Sequence, residues 1–351
     1  MLDVLHSHSE PTVRHDEGVL EPYCHLDASA FHPGVGSLDV LRALRSSRQQ
    51  QRQLALNLQV PAHLRVAGHC MEAYFRGLAQ EIERVGCHVA KQQRVEQFHL
   101  GGLTPEPARL QQLMSQLRRR FNFIFDESDD YSVDVDVQHT TWATMGVLRE
   151  LGFLHVSIGV PDIANGLSVA SFQNPAPIQS LIDAARTFGF RTVSVDLGYG
   201  HAWQTPDSVT RKLATLIELE PDRLQVFDYA QPPLRYAHCG QRLVGSAPDK
   251  TLMRRICFER LLEAGYQHIG LGLFVRPDDD LAIAQERGRL HRNILGFTRY
   301  GYCDHLGVGL GAISQIDTLY AQNAEALGMY LEKLQQGQLA TCRGWLPTTT
   351  A

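Results

Sequence analysis

The chain has 351 residues, of which 44% are hydrophobic and 20% are charged, a balance typical of a globular protein with a substantial core. A formal net charge of −5 and a sequence pI near 6.3 provide no basic field, which argues against nucleic acid as a partner. No apolar run approaches the ~20 residues of a membrane-spanning helix, and the first residues lack the features of a signal peptide. We therefore expect a cytoplasmic protein.

Residues 1–50 are predicted to be irregular, and from residue 51 short β-branched runs alternate with helical patterns. The six predicted strands are Leu54–Val60, Val95–Leu100, Val133–Val137, His155–Val160, Thr192–Tyr199 and Leu224–Ala230. The helices predicted between and after them are Met71–Arg84, Arg109–Arg120, Thr141–Leu151, Pro177–Phe188, Ser208–Leu219 and Thr251–Ala264. This alternation predicts an α/β fold with a parallel sheet, either doubly wound or curved into a full or partial β/α barrel.

One strand favours the barrel. In Val133–Val137 the apolar residues alternate with Asp134 and Asp136, so both carboxylates face one side of the strand. Strands of a doubly wound sheet are more continuously apolar, whereas a barrel with a hydrated lumen accommodates the alternation. The two carboxylates are also candidate catalytic groups, since one could act as a general base.

The last part of the chain contains shorter patterns. They predict structure at Gln267–Phe274, a helix near Leu281–Arg287, a glycine-rich stretch at Gly307–Ser314 and a helix at Asn323–Gln335. We therefore divide the chain into an irregular segment over 1–50, a barrel over 51–315, and a terminal helix with its tail over 316–351.

The seven cysteines are scattered, and no two have the spacing of a CxxC or CxxxC chelate. Four have a neighbouring histidine, but adjacent side chains make a poor chelate. No HxxxH or HExxH spacing occurs among the sixteen histidines. We predict neither a metal site nor a disulfide framework.

A glycine-rich turn follows the second predicted strand, in the segment Phe98–Pro105. It contains Gly101, Gly102, Leu103 and Thr104. Glycines in this position expose backbone N–H and C=O groups, which the amine and carboxylate of a ligand can approach closely. A plain strand-to-helix turn would explain the same residues.

This turn belongs to a set of segments that resembles the oxygen-independent coproporphyrinogen III oxidases, which are radical S-adenosylmethionine enzymes. The other segments are Ser132–Asp136, Val195–Asp196, Asp228–Ala230, Phe274–Asn293 and Gly309–Ile313. The resemblance runs from about Leu54 to Arg343 and implies an open, partial (β/α)6 barrel of the TIM-like radical S-adenosylmethionine type. It also implies that relatives continue into a further C-terminal domain.

The resemblance implies a site for each of two ligands. The glycine turn and Asp134 would contact S-adenosylmethionine, while Asp196 would hold its ribose and Ala230 and Ile313 would flank its adenine. Arg276, His291 and Arg292 would bind the propionates of a tetrapyrrole. The alternative is that the two arginines pair with Asp278–Asp280 and stabilise their own loop.

The resemblance breaks at the position of the family's CxxxCxxC loop, which ligates an iron–sulfur cluster. After Pro61 the chain continues through Ala62–His69 without a cysteine, and Cys70 stands alone. Three cofactor contacts of the family are also replaced, by Asn57, Pro161 and Val169–Ser171. A weakened S-adenosylmethionine site and no iron–sulfur cluster are therefore expected.

These departures predict a pseudoenzyme that binds a small molecule, a tetrapyrrole or haem, as carrier, sensor or regulator. One alternative is an enzyme that binds S-adenosylmethionine and performs polar, non-radical transfer chemistry. The other is a genuine coproporphyrinogen dehydrogenase of porphyrin biosynthesis, in which Cys24, Cys70 and Cys303 converge on a cluster. The sequence identifies no protein partner.

Overall fold

The computed structural model describes residues 31–61, 63–64, 68–124, 126, 129–159, 175–202, 204–230 and 249–346. The described helices are α1 Ser37–Gln50, α2 Gly68–Gly86, α3 Pro107–Arg120, α4 Trp142–Glu150, α5 Ala176–Phe188, α6 Pro206–Glu218, α7 Lys250–Glu263, α8 Asp280–Glu286 and α9 Leu327–Gln335. The described strands are β1 Leu54–Val60, β2 Val95–Gly102, β3 Asp130–Asp136, β4 His155–Gly159, β5 Thr192–Tyr199, β6 Arg223–Asp228, β7 Gln267–Gly270, β8 Leu273–Val275, β9 His291–Asn293, β10 Gly296–Thr298, β11 Asp304–Gly309, β12 Ile313–Ile316, β13 Leu319–Asn323 and β14 Thr341–Trp345.

Twelve of these strands form one sheet, in the order β14-β13-β12-β11-β1-β2-β3-β4-β5-β6-β8-β7. Strands β1 to β6 run parallel in chain order, and β11 is a seventh parallel strand beside β1. The remaining strands extend both edges in antiparallel fashion. Because β14 and β7 stand at opposite ends of this order, the described strands form an open, partial barrel. The predicted α/β fold of the partial (β/α)6 type is confirmed.

The two faces of the parallel strands differ in chemistry. On one face the side chains are apolar and join the main core beneath the helices, as Leu56, Phe98, Val133 and Val156 do. On the other face the alternate residues line the lumen and are mostly polar, because successive side chains of a strand point in opposite directions. These lumen residues include Asn57, Gln97, His99, Asp130, Ser132, Asp134, His155, Asp196 and Arg223. The barrel therefore carries its functional groups inside.

Capping residues in the sequence mark where several helices begin and end. Thr141 and Thr205 cap α4 and α6, each by accepting the N–H of the residue three positions later. Helix α5 ends at Gly189, which adopts a φ of +76° that a glycine accommodates with little strain.

Two sequence expectations are corrected by the structure. Residues 1–50 are not irregular throughout, since 37–50 form α1, whose Val40 and Leu44 are buried in the core. The described residues 316–346 do not form only the predicted helix, because β13 and β14 on either side of α9 continue the barrel sheet.

Candidate functional site

The glycine turn and Asp134 meet at the carboxyl-terminal ends of β2 and β3. The Gly102 N–H donates to Asp134 Oδ2 at 3.2 Å, and the Thr104 hydroxyl donates to the Asp134 carbonyl oxygen at 2.6 Å. The Leu103 N–H donates to the Val60 carbonyl oxygen at 2.7 Å. The structure thus brings these predicted residues together, and much of the turn's hydrogen-bonding capacity is satisfied within the chain.

The two candidate carboxylates of β3 have different surroundings. Asp134 is 7% exposed, and its carboxylate lies 3.6 Å from Nε2 of His99. The other ring nitrogen of His99, Nδ1, is 2.9 Å from the Ser132 hydroxyl. Asp136 is more exposed, at the rim. Its Oδ1 accepts the N–H groups of Gln138 and His139 and also contacts the His139 ring. Asp134 therefore faces the lumen, while Asp136 organises the turn that follows β3.

The other predicted S-adenosylmethionine contacts are spread along the same edge of the sheet. Asp196 is 2% exposed and lies on the lumen side of β5, next to Gln225 of β6 in register. Ala230 follows β6, with its N–H bonded to Asp228. Ile313 begins β12 and lies close to Gly307. A Cβ on Gly307 would lie 2.3 Å from the Ile313 carbonyl oxygen. Their ligand roles stay predictions.

Residues 276–300, here called the basal segment, cover the opposite, amino-terminal end of the barrel. Strand β8 runs antiparallel to β6, so the chain leaves β8 at the amino-terminal end of β6. There the Arg276 N–H donates to the carbonyl oxygen of Asp222, the residue before β6, at 3.0 Å. Further along, Asn293 donates to Gln97 of β2 at 2.9 Å. The predicted propionate ligands Arg276, His291 and Arg292 therefore lie at the other end of the lumen from the glycine turn.

The basal segment is held by ion pairs, although with other arginines than the sequence suggests. Asp279 accepts two bonds from Arg223, at 2.7 and 3.1 Å. Asp280 pairs with Arg191 at 2.8 Å and with Arg299 at 3.4 Å. These pairs involve Arg191, Arg223 and Arg299, whereas the sequence suggested Arg276 and Arg292 as partners; the ligand roles of Arg276, His291 and Arg292 stay predictions.

Ionisable groups inside the amino-terminal end of the lumen have strongly shifted pKa values. Burial lowers the pKa of His155 to about 3, and nearby Arg223 acts in the same direction. Burial also raises the pKa of Asp130, whose Oδ1 is 3.7 Å from His155 Nε2. The imidazole is therefore neutral near pH 7, and Arg223 carries the positive charge there.

Sequence reasoning missed a buried carboxylate that ties α2 to β11, β13 and α9. Glu81 is 2% exposed and accepts hydrogen bonds from Gly309 N–H at 2.9 Å, Asn323 Nδ2 at 2.6 Å and the Tyr330 hydroxyl at 2.6 Å. Tyr74, also on α2, interacts with it electrostatically. The signal was present, because Glu81 falls on the same helical stripe as the buried Tyr74 and Leu78.

Glu81 should make stability depend on pH. Burial raises its pKa from 4.5 to about 7, so its contribution is full below pH 4.5 and is lost as the pH rises through 7. The expected loss is on the order of 3 kcal/mol. Glu81→Gln cannot titrate, so this variant should gain stability relative to the native chain as the pH rises through about 7. Urea unfolding of both proteins measures the difference, and a pH-independent difference would contradict the assignment.

Comparison with known proteins identifies the barrel. The chain is 40% identical to the oxygen-independent coproporphyrinogen III oxidase of Pseudomonas aeruginosa, over 98% of this chain and 79% of the relative. The chain belongs to this family. The Escherichia coli relative is 35% identical, over 90% of this chain and 73% of its own length. No family model matches the chain.

A solved structure agrees with this assignment. Coproporphyrinogen III oxidase from Escherichia coli, described as a radical SAM enzyme, matches with a TM-score of 0.79 and 34% identity. The match covers 92% of this chain and 77% of that one. The chain therefore resembles the oxygen-independent coproporphyrinogen III oxidases in both sequence and fold.

The loop between β1 and α2 does not fit the cluster of this family. A CxxxCxxC motif ending at Cys70 would need cysteines at positions 63 and 67, where this chain has His63 and Ala67. One thiol and one imidazole do not provide the three thiolates that such a cluster takes from the protein. In the structure Cys70 is half-buried and packs against the apolar core.

Cys303, one of the cysteines that the sequence groups with Cys70, lies far from this loop. Cys303 precedes β11 at the amino-terminal end of β1, whereas Cys70 follows its carboxyl-terminal end, about 20 Å away along a seven-residue strand. Burial raises the pKa of Cys303 to about 12, which disfavours the thiolate. In the described residues no three His, Cys, Asp or Glu side chains are grouped around a metal position. Cys24, Pro161 and Val169–Ser171 lie outside the described residues.

Within the described part of the chain, none of the helices is both long and apolar enough to span a bilayer.

Proposed function

We propose that this chain is a member of the coproporphyrinogen III oxidase family that does not perform the radical reaction and binds a tetrapyrrole in a haem-related role. The observation that carries the proposal is the loop after β1, which has His63 and Ala67 at the spacing where a CxxxCxxC motif ending at Cys70 requires thiols. The chain retains the family's barrel around a lumen that is lined by polar groups.

Radical chemistry with S-adenosylmethionine needs a source of an electron. Reductive cleavage of S-adenosylmethionine needs a [4Fe–4S] cluster held by three thiolates, with one iron left open for the cofactor. His63 is exposed and Cys70 packs on the core, so even their combined donors leave the site one ligand short. No other described side chain in this loop supplies the missing donor.

The tetrapyrrole is inferred from the relatives, whose name states that they act on coproporphyrinogen III. A ligand of this size fits the mouth of a β/α barrel, where the loops after the strands build the binding site. In this chain that mouth carries the glycine turn, Asp134 and the turn after β3. Propionate binding by Arg276, His291 and Arg292 stays a prediction that concerns the opposite end.

Restoring the two missing thiols tests the loss of the cluster. We expect His63→Cys with Ala67→Cys to bind iron and sulfide on anaerobic reconstitution, with the broad visible absorption of an iron–sulfur cluster. The native chain should bind neither in stoichiometric amount. A matched control, His63→Ala with Ala67→Ser, changes the same positions without adding thiols. A stoichiometric cluster in the native chain, together with oxidation of coproporphyrinogen III, would contradict the proposal.

A second candidate function is polar transfer chemistry with S-adenosylmethionine. It is favoured by the placement of Asp134, which is buried, faces the lumen and contacts the glycine turn. Calorimetric titration with S-adenosylmethionine tests it directly. Saturable binding that Asp134→Asn weakens would support this candidate, and the absence of binding would leave the tetrapyrrole as the proposed ligand.

A further inference from the structure

The turn after β3 holds one histidine in a fixed orientation at the barrel mouth. Asp136 Oδ1 accepts the N–H of Gln138 at 3.0 Å and the N–H of His139 at 2.9 Å. The same oxygen lies 2.7 Å from His139 Nδ1. Two backbone bonds therefore fix the carboxylate, and the carboxylate in turn fixes the imidazole ring.

This contact determines which ring nitrogen is available. An ionised carboxylate only accepts hydrogen bonds, so Nδ1 must carry the proton that it donates to Asp136. In the neutral ring Nε2 then has a free lone pair, and the His139 side chain is 48% exposed. A histidine whose second nitrogen donates to a carboxylate is the usual arrangement in metal-binding sites, because the carboxylate orients the ring and raises its basicity.

A single histidine suits a metal that already has other ligands better than a bare metal ion. Among the described residues no three His, Cys, Asp or Glu side chains are grouped to hold an ion, and a bare ion such as zinc takes three or four protein ligands. A metal at the centre of a tetrapyrrole already has four nitrogen ligands and needs only one donor from the protein. A single exposed and oriented imidazole satisfies that need.

We propose that His139 is the axial ligand of a metallotetrapyrrole at the barrel mouth, and that Asp136 is its positioning residue. The inference rests on the tetrapyrrole binding proposed above and adds the metal and its ligand. Binding consists of donation of the Nε2 lone pair to the metal, without transfer of electrons or of a group.

Other described histidines are less suited to this role. His155 and His305 are buried within the barrel, with 5% and 1% exposure, where a macrocycle cannot reach them. His99 Nδ1 contacts the Ser132 hydroxyl at 2.9 Å, and its Nε2 lies 3.6 Å from the Asp134 carboxylate, so a carboxylate already faces the second nitrogen. His291 packs against Tyr302 near the basal segment, with ring centroids 6.0 Å apart.

Titration of the full chain with ferric haem and with metal-free protoporphyrin tests the inference. The native chain should show a shifted Soret band and the electron paramagnetic resonance signature of imidazole-ligated iron. His139→Ala should lose that signature and bind haem about tenfold more weakly or worse, while it binds the metal-free porphyrin as before. Asp136→Asn should weaken haem binding by about tenfold without removing the signature. The control is His88→Ala, which changes a histidine between α2 and β2, at the amino-terminal end of the barrel.

The outcomes separate this inference from the proposed function. If His139→Ala keeps the native haem spectrum and affinity, His139 is not the ligand, although tetrapyrrole binding stands. If the native chain binds neither haem nor the metal-free porphyrin, both the proposed function and the inference are wrong. Selective loss of haem ligation in His139→Ala, with porphyrin binding retained, supports both.

Discussion

Arg223→Ala is expected to lower the free energy of unfolding by about 3–5 kcal/mol, because it leaves buried carboxylates without their counter-charge. The Arg223 side chain is 16% exposed and makes two bonds to Asp279, whose side chain is 1% exposed. Asp130, deeper in the lumen, also interacts with this guanidinium. Removing the arginine should therefore release the basal segment from the amino-terminal end of the barrel. Urea denaturation of the native and variant chains measures the loss.

Two further variants make this prediction specific. Arg276→Ala removes an arginine from the same region, but its side chain is 41% exposed and lies 4.0 Å from Glu220, so the expected loss is below about 1 kcal/mol. Arg223→Leu with Asp279→Leu removes both charges and should cost less than Arg223→Ala. If Arg223→Ala and Arg276→Ala are equally stable, the pair does not hold the segment.

Gly102→Ala is expected to cost several kcal/mol, and more than the same substitution at Gly189. Both glycines have a positive φ, +86° and +76° respectively, so each alanine carries a backbone penalty of about 1–2 kcal/mol. At Gly102 the new Cβ would also lie 2.2 Å from the Val60 carbonyl oxygen, whereas nothing lies within 4 Å at Gly189. The clash adds about 1–3 kcal/mol for the shift that it forces.

The Gly189→Ala variant is thus the control for backbone strain alone. Thermal or urea unfolding of both variants measures the difference in stability. The Gly102 variant should also disturb the hydrogen bond from its N–H to Asp134 and hence ligand binding at the mouth. Equal destabilisation by the two substitutions would show that the glycine turn tolerates a side chain and is not closely packed against β1.

The central strands were accessible to sequence reasoning because their outer faces form a continuous apolar surface. Strands β1 and β5 have the predicted bounds, but β3 begins at Asp130 rather than Val133. Asp130 and Ser132, at its start, carry polar side chains that face the lumen, so hydrophobicity underestimates the strand. Strand β11 was missed because its lumen side consists of His305, Gly307 and Gly309, and only its long-range pairing with β1 makes it a strand.

The candidate site was predictable only in part. Register in a parallel sheet brings the end of β2 next to the end of β3, so the contact between the glycine turn and Asp134 follows from adjacent strands. The position of the basal segment depends on the reversal at β8, which no local pattern indicates. The pair of Asp136 and His139 has a short sequence separation, but its bond requires the turn conformation that the backbone N–H groups stabilise.

The measurement that tests the central claim most directly is an equilibrium titration of the native chain with coproporphyrin III, followed by absorbance and by quenching of tryptophan fluorescence. We expect saturable binding with one tetrapyrrole per chain, in protein that contains no iron–sulfur cluster. Absorbance that rises in proportion to the added porphyrin, without saturation or quenching, would contradict the claim that this family barrel binds a tetrapyrrole.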